Sequence, residues 1–160
     1  MSEVSEDLWF MGHALEEAER AYDQDEVPIG AVVVSPEGEI LSKAHNLKEQ
    51  TNDPCGHAEI LAIRMAAKEM DNWRLAGATL YVTLEPCPMC LAAMTQARIK
   101  RVVFGSYDKK GGSLSLGYKM YKDKRLNHRF AVTGGVNHYK CSKILSNYFK
   151  EKREFHKQQL

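Results

Sequence analysis

The chain has 160 residues, 44% of them hydrophobic and 27% charged, and a formal net charge of +1. That balance suits one compact domain that buries its own core, and it excludes a helical membrane protein because no apolar run reaches spanning length. The acidic start, MSEVSEDLWF, does not read as a secretory or mitochondrial leader, so a cytoplasmic location is expected.

Leu8, Met11, Ala14, Leu15, Ala18, Ala21 and Tyr22 recur at helical spacing and predict an amphipathic helix with one face on a core. Val27-Pro28-Ile29-Gly30 leads into a β-rich run, 31–35. Pro36-Glu37-Gly38-Glu39 is a turn, and 40–46 returns as a second strand, so the pair reads as a hairpin. Asn52-Asp53-Pro54 breaks the chain and could start a helix, which is expected from about His57 to Met70. The run 78–84 has the apolar content of a buried strand. Another helix is expected near Pro88, because proline fits a first helical turn. A strand follows at 101–105.

The segment 109–116 is rich in Gly and Ser and reads as a loop; 119–130 is ambiguous, and 131–133 reads as a short strand. A terminal helix is expected over about 140–155, with Ile144, Leu145 and Tyr148 facing inward. No internal repeat and no second core stand out, so 1–160 reads as one domain. A helix, a hairpin, then alternating helices and strands argue for a three-layer α/β domain. Charge is uneven along it. Positions 1–30 hold nine acids and one base, Arg20; positions 119–157 hold eleven Lys or Arg against Asp123, Glu151 and Glu154. This describes either two solvated faces or a second half that touches a polyanion.

The four cysteines are Cys55, Cys87, Cys90 and Cys141. Without an export signal they point to metal binding or catalysis rather than disulfides. Cys87 and Cys90 stand three residues apart at a helix start, where two thiols can reach one ion and the helix N-terminus favours thiolate. His57 opens the other helix, with Glu59 two residues on. Imidazole and thiolate are zinc ligands, and three of them leave a fourth tetrahedral position for water, the pattern of a catalytic site. Glu59 is then the candidate proton carrier. A structural zinc site needs a fourth protein ligand, for which Cys55 and His45 are the nearby candidates. Cys141 has no ligand role and reads as a buried apolar residue.

His57-Ala58-Glu59 with Pro86-Cys87-Pro88-Met89-Cys90 matches the signature of the zinc-dependent cytidine-deaminase-like superfamily. Within it the chain resembles the bacterial tRNA-specific adenosine deaminases over nearly its whole length, through 26–32, Asn46, 53–54, 57–60, 78–87, 101–105, 126–129 and 133–136. The resemblance implies an α/β/α cytidine-deaminase-like fold around a central mixed five-stranded sheet. It implies one Zn2+ per subunit on His57, Cys87 and Cys90, with Glu59 as proton shuttle. Asn46 is implied as a hydrogen-bond partner of the target base, and Val27 and Pro28 as the pocket wall. Asp108 corresponds to a contact with the flanking nucleotide, and Phe149, Lys152 and Arg153 to the terminal helix near the RNA. The implied reaction is zinc-assisted hydrolysis of adenosine to inosine at the wobble position of a tRNA anticodon stem-loop, by a homodimer. Two departures stand out. Cys55-Gly56 replaces an expected Thr-Ala pair, and Pro88-Met89 also resembles guanine deaminases. The alternatives are a deaminase of a free base or nucleoside (guanine or cytosine type) and a zinc-stabilised RNA-binding module without catalysis.

Overall fold

The computed structural model describes residues 1–160. Helix α1 spans Glu3–Asp23, five residues earlier than the apolar periodicity begins, because Ser2 caps it by accepting from the Ser5 amide. Strands β1 (Gly30–Val34) and β2 (Ile40–His45) form the expected hairpin. A short helix α2, Lys48–Thr51, follows and was not legible from its polar sequence; Asn52 ends it in the left-handed conformation. Asn52-Asp53-Pro54 therefore closes one helix instead of opening the next. Helix α3 covers Ala58–Glu69, β3 Thr79–Leu84, α4 Pro88–Gln96, β4 Arg101–Ser106 and β5 Ala131–Thr133. The ambiguous 119–130 region holds a single 3-10 turn, Met120–Lys122, and the terminal helix α5 runs His138–Gln158. No helix is long and apolar enough to cross a membrane.

One five-stranded sheet runs in the order β2-β1-β3-β4-β5. β1 is antiparallel to β2 and β3, while β3–β4 and β4–β5 are parallel, so the sheet is mixed. Strand alternation sorts its side chains into two cores. Ala31, Val33, Leu80, Val82, Val102 and Phe104 face one side with Ala62 and Ala66 of α3 and Leu91 and Met94 of α4. Val32, Val34, Tyr81 and Val103 face the other with Met11 and Ala14 of α1 and Cys141 of α5. This is the three-layer arrangement expected.

Polar contacts lock α1 to the sheet. Arg101 donates two 2.8 Å bonds to Asp7 of α1, and the Tyr81 hydroxyl donates a third at 3.0 Å. Cys141 is fully buried, and burial pushes its thiol up to about 12, in keeping with an apolar role. The consequence for function is positional. The parallel strands β3 and β4 end on the same side of the sheet, where α3 and α4 begin. Ligands in open α/β sheets bind outside such carboxyl ends.

Candidate metal centre and cavity

His57 and Cys87 are each the residue just before the first turn of a helix, α3 and α4, and both have extended backbone. Neither side chain makes a capping hydrogen bond, so both are free to turn toward one another. Pro88 sets the first turn of α4, and Cys90, fully buried, lies one turn along the same face.

His57 Nδ1 stands 3.6 Å from Cys87 Sγ and 3.4 Å from Cys90 Sγ. A tetrahedral zinc with ordinary Zn–S and Zn–N bonds requires about 3.5–3.6 Å between nitrogen and sulfur. The three ligand atoms lie within 4.8 Å of one another, so these residues fit zinc. Hydrogen bonds from Cys90 and His57 bring the Cys87 thiol down to about 4, while Cys90 is driven up by its bond to Cys87 and by burial. His57 is raised by its contact with Cys87.

The fourth protein ligand that a structural site demands is not in this cluster. Cys55 is exposed, with its amide donating to Asp53, and His45 is occupied by Glu17 and Gln24, each at 3.0 Å. Glu59, 4% exposed, lies beside the three ligands, and burial raises its carboxyl while its own amide and His57 oppose that shift. A carboxyl raised by burial from its ordinary range is suited to carry a proton.

His57, Glu59 and Cys87 form the floor of a cavity of about 870 Å³. Val27, Asn46, His57, Glu59 and Cys87 line it, and so do Asp108, Phe149 and Arg153. Asn46 is buried, and its Oδ1 accepts the Ala58 amide at 2.8 Å. That bond caps α3 from outside and leaves the Nδ2 amine without a protein partner, open to the cavity. Pro28, expected in the pocket wall, is buried and does not line the cavity. Asp108 Oδ1 accepts the Lys110 and Gly111 amides, both at 3.1 Å, so the same carboxylate shapes its own loop. Phe149 is 44% exposed at the rim, edge-on to Tyr148. Lys152 points elsewhere and pairs with Asp25, outside the lining residues.

Lys109 and Lys110 read from the sequence as phosphate-holding cations, while Lys48 and Glu85 escaped that reading. Lys48, Lys109 and Lys110 add cations at the rim; Lys48 belongs to the helix that was not foreseen. Glu85 also lines the cavity, though Glu85-Pro86 reads as no more than the end of a strand. The only available signal was an acid directly after an apolar strand.

The model of the cytidine and deoxycytidylate deaminase zinc-binding region matches residues 4–106. A tRNA-specific adenosine deaminase of Bacillus subtilis (strain 168) is 45% identical over 151 residues, spanning 94% of this chain and 93% of the relative. One from Haemophilus influenzae is 44% identical over 144 residues, spanning 90% and 83%. A solved structure from a study of A-to-I editing by tRNA:A34 deaminases at the wobble position superposes with a TM-score of 0.81 at 43% identity, covering 86% of this chain and 99% of that one. The chain belongs to the zinc-binding cytidine and deoxycytidylate deaminase family.

Proposed function

We propose that this protein converts adenosine to inosine in tRNA by hydrolysis, acting at the wobble position of the anticodon. The observation that carries the reading is a three-ligand metal centre with a buried carboxyl beside it, at the floor of a cavity with a cationic rim. The relatives named as tRNA-specific adenosine deaminases support the choice of substrate.

Zinc on His57, Cys87 and Cys90 supplies, when bound, the Lewis acidity that activates a water for attack on C6 of adenine. Glu59 accepts the first water proton and delivers it to the ring nitrogen, then takes the second from the hydroxyl added at C6 and passes it to the amine, which leaves as ammonia. Asn46, with its Oδ1 engaged by Ala58, offers Nδ2 to an acceptor on the base. Val27 forms an apolar wall. Phe149 offers a ring face at the rim, and Asp108 sits beside the nucleotide that flanks the target. Arg153, Lys48, Lys109 and Lys110 meet phosphates, while Lys152 adds positive potential along α5. A loop base is already partly unstacked, so extruding it into the cavity costs less than opening a duplex.

The reading extends to the whole molecule. Residues 1–160 act as one deaminase domain, in the cytoplasm, as a homodimer with one zinc per subunit. Exposed Met65, Met70 and Trp73 on and after α3 offer apolar surface to a second copy. The deciding experiment incubates purified protein with an anticodon stem-loop, free guanine and cytidine, and measures ammonia. Release from the stem-loop alone is expected. Release from guanine or cytidine with none from the stem-loop would move the assignment to a base or nucleoside deaminase.

A further inference from the structure

Glu85 directly follows β3 and precedes the Pro86-Cys87 turn. It is 2% exposed, and none of the molecule's ion pairs includes it. A buried carboxylate without a cation must be held by hydrogen-bond donors. All of its donors come from one loop. Oε1 accepts the Asp108 amide at 3.2 Å and the Ser115 hydroxyl at 2.6 Å, and Oε2 accepts the Ser115 amide at 2.9 Å. The adjoining backbone adds two more ties, from the Glu85 amide to the Ser106 carbonyl and from the Ser113 amide to the Pro86 carbonyl, both at 2.8 Å.

Gly112 is pressed over the same carboxylate. A Cβ at that position would stand 2.0 Å from Oε2 and 2.7 Å from the Asp108 carbonyl, so no larger residue lets the loop close. The strapped loop carries Asp108, Lys109 and Lys110, which form one side of the cavity rim. The chemistry of the strap is specific. An ionised carboxylate is acceptor-only and matches three donors. A glutamine amide would turn an NH2 against an N–H or O–H.

We propose that Glu85 is a positioning residue that holds the 107–116 loop across the cavity mouth, and so fixes where Asp108, Lys109 and Lys110 meet RNA beside the target base. The RNA part of this proposal rests on the tRNA reading above; the strap does not. Glu85 acts through the loop, leaving proton transfer to Glu59.

The test is Glu85→Gln, examined by steady-state kinetics on an anticodon stem-loop, by zinc content and by hydrogen exchange. Losing charge-assisted bonds to the loop is expected to raise KM about tenfold, with a smaller fall in kcat. The Asp108, Ser113 and Ser115 amides should exchange about tenfold faster, while zinc stays at one per chain. Ser115→Ala, at an exposed position, removes one strap bond and should move the same readouts in the same direction if Glu85→Gln does not fold. Unchanged loop exchange in the folded variant overturns the proposal. A fall in kcat with KM unmoved, or loss of zinc together with activity, overturns it equally. A wild-type protein inactive on the stem-loop would sink the tRNA reading, and loop exchange would still decide the strap.

Discussion

Asn46 does two jobs with two ends of one amide, and replacing it by Ala or Asp separates them. Its Oδ1 is the only partner outside α3 for the buried Ala58 amide, at 2.8 Å, and Ala58 itself is 0% exposed. Asn46→Ala leaves that donor orphaned in the interior, which costs about 1–3 kcal/mol. In a domain of this length, about 2 kcal/mol lowers Tm by roughly 4–8 °C. Asn46→Asp keeps an acceptor of the same shape against the N-terminus of α3, where negative charge is favoured, so its Tm should stay near wild type. Both substitutions delete the Nδ2 donor facing the cavity. Each should therefore lower kcat/KM on a stem-loop by about 10–100-fold, the worth of one hydrogen bond to the base. Differential scanning calorimetry and initial-rate kinetics read the two effects separately. If Asn46→Asp melts as low as Asn46→Ala, the capping argument is wrong. If Asn46→Asp turns over at the wild-type rate, Nδ2 does not touch the base.

Three further predictions concern the metal centre and the rim. Glu59→Gln should keep zinc and Tm yet lose about 10²–10⁴-fold in kcat, seen by metal analysis beside ammonia release; full turnover would remove Glu59 from proton transfer. Arg153→Glu should raise KM for the stem-loop more than Lys152→Glu does, because Arg153 lines the cavity and Lys152 is paired with Asp25. It should also flatten the dependence of log KM on log salt; equal effects of the two substitutions would contradict this geometry. Zinc should be released on acidification. Protons compete with metal for thiolate and neutral imidazole, so affinity falls as pH falls. With Cys87 held as thiolate down to about 4, the competing protons should go to Cys90 and His57, both raised above their usual values. A chromogenic chelator followed across pH 4–8 reads this, and release that grew with rising pH would refute it.

Much was legible without a fold. Apolar residues at helical spacing announced α1, α3 and α5, and continuous apolar runs announced β1, β3 and β4, because those patterns are local. The zinc residues were legible for the same reason: His57-x-Glu59 and Cys87-x-x-Cys90 are short, and each sits at a helix start. Local pattern also explains the failures. The four polar residues of α2 carry no periodicity, and its lysine at the rim went unseen.

What the residues determined alone is the chemistry available: an imidazole, two thiols and a carboxyl with the spacing of a zinc deaminase. What only the tertiary structure decided is the assignment of duties among polar groups distant in the chain. Asn46 caps a helix twelve residues on, Glu85 holds a loop up to thirty residues away, and Arg153 reaches the cavity while its neighbour Lys152 turns to Asp25. The physical reason is that a buried polar group must find its partner wherever the packed chain brings one.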